Sequence, residues 1–225
     1  MENEEKVLTR DIVKELGLDK LEVITSEMLD GYTSIEKNAF CDCYTLTSIT
    51  LSNSITIIED NAFWNCTSLT SITLPNTIIS IGYYAFINCY ALTTINFQNS
   101  ISSIAMFAFI KSRNFKNVVI GDKNYEGQTI VNGKSKAYKA FKADLTCRGF
   151  QYEEGKTYEI KGEPKLCIRG FHACLNLLDV FNYYCGELGK DIVVHEVELE
   201  GVSEETSIDD SKVVAKKIAI GKRIL

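Results

Sequence analysis

Ile58-Glu59-Asp60-Asn61-Ala62-Phe63-Trp64-Asn65-Cys66-Thr67-Ser68-Leu69-Thr70-Ser71-Ile72-Thr73-Leu74-Pro75 decides the fold, because its apolar residues recur in the same order on either side. Ala39-Phe40, Ala62-Phe63, Ala85-Phe86 and Ala108-Phe109 stand 23 residues apart with no slippage. In each unit aliphatic residues precede the Ala-Phe pair, and in the best-kept units a Cys-x-x-Leu-x-x-Ile-x-Leu run follows it. A fixed period in the twenties is the signature of a solenoid. One such unit is too short to bury its own apolar face, so each Phe, Leu and Ile must be covered by its equivalent one turn away.

Four ladders follow from the period. They are Ile35, Ile58, Ile81 and Ile104; Phe40, Phe63, Phe86 and Phe109; Leu46, Leu69, Leu92 and Phe115; and Ile49, Ile72, Ile95 and Val118. The end of each unit has period two, which predicts a short strand with Ile and Leu inward. Ser48, Thr50, Ser71, Thr73, Thr94, Asn96 and Asn117, with Val119 in the last unit, then face outward. These outward Ser, Thr and Asn side chains are the candidate partner-binding residues.

The Ile, Ala-Phe, Cys and Leu-x-x-Ile-x-Leu pattern, with Pro75 in one unit, resembles the BspA-like, or Treponema-type, leucine-rich repeats over about residues 32 to 121. The resemblance implies a curved solenoid with a parallel sheet on its concave face and a role in binding other macromolecules. It implies no chemistry, since repeat folds host many functions. The fold class expected is an α/β leucine-rich repeat solenoid with a second, smaller α+β domain.

Composition narrows the function. The 225 residues include 24 Lys and Arg against 30 Asp and Glu, a formal charge of -6. An acidic balance argues against direct nucleic-acid binding, which needs clustered Lys and Arg; Lys134, Lys136, Lys139 and Lys142 are too sparse and read as a solvated linker face. No run approaches the length of a membrane span, and Met1 is followed by Glu2, Glu4 and Glu5 with no apolar stretch of a signal peptide. The expected location is the cytoplasm, where the eight cysteines stay reduced. Cys43, Cys66 and Cys89 share one repeat position and should form a buried ladder of thiols, with Ser112 in the fourth place. The sequon Asn65-Cys66-Thr67 has no meaning inside such a ladder.

Four segments are expected. Residues 1–31 form an N-terminal helical cap, with Ile12, Val13, Leu16 and Leu18 as its apolar side; 32–121 are the solenoid of four units; 122–135 are a linker with a hairpin at Asn132-Gly133; and 136–225 are the C-terminal domain. In the last, strands are expected near Tyr138 to Phe141, Thr157 to Ile160, Lys165 to Ile168, Ile192 to Leu199 and Lys212 to Ile220, with a helix near Leu175 to Tyr184.

The C-terminal segments Cys147-Arg148-Gly149-Phe150, Gly170-Phe171-His172-Ala173-Cys174 and Ser211-Lys212-Val213 resemble an uncharacterised domain of bacterial and phage reading frames. Their order is also similar to ADP-ribosyltransferases. That resemblance implies an arginine on a first strand to hold a dinucleotide phosphate, a Gly-Phe turn into a helix to shape the nicotinamide pocket, and a late carboxylate to orient the ribose. Arg148 and His172 to Cys174 match the first two, and Asp209 or Asp210 answers for the third, while the Ser-Thr-Ser and Glu of that class are absent. Arg148, His172, Asp209 and Asp210 are therefore the catalytic candidates, each weighed against a turn or surface role. His172 and Cys174 with Cys167 and Cys185 lack the spacing of a standard zinc site, and His172 with Cys174 has no orienting third group for nucleophilic catalysis. His195, on the face of Val193 and Val197, reads as a partly buried histidine with one satisfied nitrogen. No cofactor and no metal is expected.

Protein binding is the function these features favour, through the Ser, Thr and Asn face and toward a basic or neutral partner, which could be basic because it handles nucleic acid. The phage resemblance makes one concrete version an anti-defence factor of the anti-CRISPR type. The alternatives are an NAD-binding, ADP-ribosyltransferase-like C-terminal domain, and a structural repeat protein with a capping domain.

Overall fold

The computed structural model describes residues 6–225, apart from 98–102, 106, 113–115, 129, 167, 184–185, 188–190, 206 and 208–210 and the side chains of 186 and 187. The chain divides into two compact units, Met1–Tyr125 and Glu126–Leu225. The first is built by the 23-residue period. In every unit the chain makes two short strands that pair in parallel and in register with the same strands one repeat away. Val7–Leu8, Ser34–Ile35, Ile57–Ile58, Ser80–Ile81 and Ser103–Ile104 form one ladder. Val23–Ile24, Ser48–Thr50, Ser71–Leu74, Thr94–Phe97 and Asn117–Ile120 form the other.

Between the strands the chain turns twice through the left-handed region, at Asn38, Asn61, Tyr84 and Phe107 and again at Asp42, Asn65, Asn88 and Lys111, with φ between 56 and 64°. Asn and Asp tolerate this conformation better than other L-residues. Even the turns are cross-linked: the amides of Phe40, Phe63 and Phe86 donate to the carbonyls of Ala62, Ala85 and Ala108 at 2.8, 2.8 and 2.7 Å. Two such turns in 23 residues leave no length for an α-helix, so the repeats are largely β and not the α/β form expected. Among the described residues of this unit the α-helix is Arg10–Glu15, capped by Thr9, whose hydroxyl accepts from the Ile12 amide at 3.3 Å. Its Val13 and the following Leu18 are buried while Leu16 is exposed. The strands Val7–Leu8 and Val23–Ile24 beside it carry Leu8 and Ile24, both buried, onto the ends of the Ile35 and Ile49 ladders.

The ladders are the core. Ile35, Ile58, Ile81 and Ile104, the four Phe, Leu46, Leu69 and Leu92, and Ile49, Ile72, Ile95 and Val118 are all buried; Phe115 lies outside the described residues. Phe40, Phe63, Phe86 and Phe109 stack at 5.1 Å with planes within 4° of parallel, close to the spacing that strand pairing imposes. Burying one such side chain is worth about 1.5–3 kcal/mol. Cys43, Cys66 and Cys89 are buried and free. The thiols of Cys66 and Cys89 donate to the carbonyls of Phe40 and Phe63 at 3.1 and 3.2 Å, and the Ser112 hydroxyl donates to Phe86 at 2.6 Å. Serine thus keeps the hydrogen bond that cysteine makes. Hydrogen bonding to Cys66, then burial, pushes the Cys43 thiol far up, so these thiols are structural.

The second unit is mostly β. Strands Lys134–Lys142, Ile192–Val202, Lys212–Arg223 and Phe171–Cys174 pair antiparallel in that order, and the last pairs back with the first, closing a four-stranded barrel. Thr157–Glu159 adds to the 212–223 strand, and Thr146–Cys147 with Phe150–Gln151 forms a separate hairpin. Ala137, Phe141, Val193, Val197, Leu199, Val213, Ala215, Ile218 and Ile220 fill the interior with Cys147 and Tyr152. At Gly170 a Cβ would stand 2.5 Å from Val214, so the chain passes the 212–223 strand where only glycine fits.

Two expected elements differ. The α-helix near 175–184 is a single 3-10 stretch, Leu177–Asn182, buried along its whole length; Asp and Asn within it are weak helix formers, and the Asp179 carboxylate is drawn to the Ser211 amide at 2.8 Å. Tyr184 lies outside the described residues. The strand at 165–168 is a tight turn closed by an isolated bridge from Lys165 to Arg169, because Gly162, Pro164 and Gly170 leave no room for extended pairing. Asn132 and Gly133, with φ of 52 and 70°, turn the chain between Val131 and Lys134.

Candidate functional site

Two surfaces carry the candidate residues, one in each unit. In the solenoid, register places Ser48, Ser71, Thr94 and Asn117 in one outward row, and Thr50, Thr73, Asn96 and Val119 in the next. Alternation is the cause: Ile49, Ile72, Ile95 and Val118 between them are buried, while the outward residues keep partial or full exposure. The strand face therefore presents hydroxyl and amide groups at the regular spacing of a parallel sheet and no formal charge.

The turns carry a second surface that the repeat pattern did not single out. Tyr44, Trp64, Tyr83, Tyr84 and Tyr90 are exposed, and Tyr84 stacks on Phe107 at 5.7 Å. Tyr84 and Phe107 occupy the left-handed position that Asn38 and Asn61 fill in the first two units. A bulky L-residue there is strained by about 1 kcal/mol or more, so the aromatic surface is kept against the local preference. The signal in the sequence is the aromatic residues at turn positions outside the four ladders.

In the second unit, Arg148 and His172 come to one cavity of about 540 Å³, together with Lys139, Tyr152, Cys174 and Lys212. The cavity sits at the seam between strands 134–142 and 171–174, which the described residues join through a single pair, Tyr138 opposite Cys174. Lys139 bridges the seam by donating to the His172 carbonyl at 2.8 Å. It belongs to the inward row Ala137, Lys139 and Phe141 and stands opposite His195 in the register. Its ammonium is 5.5 and 5.9 Å from the Phe141 and Tyr152 ring centroids, and burial pushes its pKa down against the opposing pull of Cys147 and Cys174. Lys139 is therefore a core residue, not part of a solvated linker face.

Arg148 and Gly149 are the two central residues of the hairpin, with φ of 50 and 76°. A two-residue loop with both residues left-handed suits the twist of its strands, and this explains Gly149. It does not explain Arg148, whose side chain lines the cavity. His172 is pushed down to about 4 by burial, then by Lys212, Lys139 and Arg148, so it is neutral at pH 7. Burial, then Cys147 and Tyr158, raises the Tyr152 phenol to about 12. Phe150, Tyr152 and Tyr158 meet edge to face at 4.7–5.4 Å and form an aromatic wall. Lys212 lies 4.0 Å over the Tyr183 ring.

The transferase-like layout is not what these segments form. Arg148 is at a hairpin tip and not on a strand, and Gly170-Phe171-His172-Ala173-Cys174 enters a strand and not a helix. Asp209 and Asp210 lie outside the described residues, as do Cys167 and Cys185. Among the described residues no three His, Cys, Asp or Glu side chains gather as a metal site would need, and no helix is long and apolar enough to cross a membrane. His195 is almost fully buried, more than expected, with Nδ1 2.9 Å from the Gly221 carbonyl and 3.8 Å from Glu154.

Comparison with known proteins matches two families that meet at residues 134 and 135. Residues 20–134 match the family model of the BspA type leucine rich repeat region, in six copies. Residues 135–225 match a domain of unknown function, DUF7666. The chain is similar to a solved structure, the Leucine Rich Repeat protein of T. pallidum, at 28% identity and a TM-score of 0.40, over 43% of this chain and 46% of that one. The match spans less than half of that protein. No curated protein matches the chain.

Proposed function

From the premise that the chain belongs to the BspA-type leucine-rich repeat family, we propose that it is a non-enzymatic protein-binding protein whose partner docks on the strand face of the solenoid. The observation that carries this reading is the double row of outward Ser, Thr and Asn side chains set in register over a fully buried ladder. Hydroxyl and amide groups hydrogen-bond to donors and acceptors alike, so a regular field of them suits an extended partner. The formal charge of -6 attracts a basic partner over long range and repels no neutral one. Trp64, Tyr83 and Tyr84 on the turns supply the residue types that dominate binding energy at interfaces.

The test compares partner capture by the immobilised full chain with capture by a Thr73→Arg/Thr94→Arg variant. Both positions face outward, so thermal unfolding should be unchanged. A partner held by the unaltered chain and lost by the variant supports the strand face. Equal capture by both removes the site from that face, and a Trp64→Ser/Tyr83→Ser variant then tests the turns.

A further inference from the structure

We propose that the seam cavity of the C-terminal barrel is a binding site for a small organic acid with a flat ring, whose anionic group is the counter-charge of Lys139 and whose ring lies on the Phe150, Tyr152 and Tyr158 wall. This site is separate from the solenoid face and does not depend on the reading of that face.

The first observation is Lys139. It occupies an inward position of the barrel between Ala137 and Phe141 and is only 6% exposed. Among the described residues its contacts are the His172 carbonyl, the Phe141 and Tyr152 rings and the neighbouring thiols; none is a carboxylate. Burying an ammonium without an opposite charge costs several kcal/mol in real proteins, and an apolar side chain of like volume would avoid that cost. A lysine retained there is explained by an anion that joins it.

The second observation is the company it keeps. Arg148 and Lys212 line the same cavity, and Glu159 is the one acidic side chain among the described residues that line it. An acidic chain has thus gathered three cations around one opening. Arg148 is held there in a left-handed backbone conformation that Asn or Gly would adopt at less cost; strain of this kind clusters at ligand sites.

The third observation is shape. About 540 Å³ falls within the range of small-molecule sites. The aromatic wall, with ring centroids 4.7–5.4 Å apart, offers a face to a planar group. Inorganic anions would meet the cations and leave this wall unused.

Carboxylate and phosphate share the required charge, and the experiment separates them. The full chain is titrated calorimetrically with 4-hydroxyphenylacetate and with adenosine 5′-monophosphate, using p-cresol as the uncharged ring and inorganic phosphate as the ringless anion. The expected result is one-to-one binding of at least one ring-bearing anion, at least tenfold tighter than either control and weakened at least tenfold by Lys139→Met and by Arg148→Gln. Tighter binding of the first probe identifies an aryl carboxylate site and of the second a nucleotide-like phosphate site. Absence of binding by both anions at millimolar concentration overturns the proposal, as does p-cresol binding as tightly as the acids, or affinity unchanged in both variants. Should Lys139→Met fail to fold, Arg148→Gln at the exposed hairpin tip gives the answer by itself.

Discussion

The thiol of Cys66 and, two repeats on, the hydroxyl of Ser112 make the same hydrogen bond, each to the carbonyl of the Phe 26 positions earlier. Cys66→Ser should therefore leave the unfolding free energy in urea nearly unchanged, whereas Cys66→Val leaves the Phe40 carbonyl only the Cys43 amide at 3.3 Å and should cost about 0.5–1.5 kcal/mol. A similar argument applies to Arg148, where Asn relieves the left-handed strain. Arg148→Asn should stabilise the chain by about 1 kcal/mol in the same measurement. His172 carries one pH response. Lys212 on the paired strand, Lys139 on the neighbouring strand and Arg148 on the hairpin act on it, and Cys147, Cys174 and Glu159 line the same cavity. Burial and these cations lower its folded pKa to about 4 from 6.5. The unfolded chain thus binds the proton first, so stability is present above pH 6.5 and is lost as pH falls toward 4. His172→Gln should flatten that part of the stability profile, read by thermal unfolding at pH 7 and pH 4.5.

At the scale of the element, a rung is only as strong as the two rungs that cover it. Phe63 has Phe40 and Phe86 on its two faces at 5.1 Å, so Phe63→Ala should cost about 3–5 kcal/mol in denaturant unfolding. These ladders were legible in the sequence because a period of 23 puts like residues over like, and stacking requires nothing more. The barrel was not. Its pairs join residues as distant as Lys134 and Glu200, and no periodic signal links them. Phe171–Cys174 is only four residues long, too short for a period of two to stand out, which let its Gly-Phe start pass for a turn into a helix. Lys139 misled for the opposite reason: a charged residue beside Lys136 and Lys142 reads as solvent-facing, and only the barrel's closure shows that it points inward. Arg148 and His172 were singled out from the sequence, yet the cavity that unites them with Lys139 and Lys212 depends on pairings that no local pattern reports.

The whole molecule joins a unit made by repetition to one made by closure. Open ladders distribute stability along the array, while a barrel of long strands gains it through distant contacts that form slowly. The unit Glu126–Leu225 has its own buried core. The fragment 126–225 should accordingly fold alone and unfold in one cooperative step, checked by comparing its thermal transition with that of the full chain. The in-register pairing of residues 23 apart has a further consequence. Every rung meets a neighbour of nearly its own shape, so the block 58–80 could be copied in tandem and each side chain would find the partner it already has, one step further along. The array can grow or shrink by whole turns, as a stack of coins does, but an insertion of any other length would set Phe against strand and Asn against core.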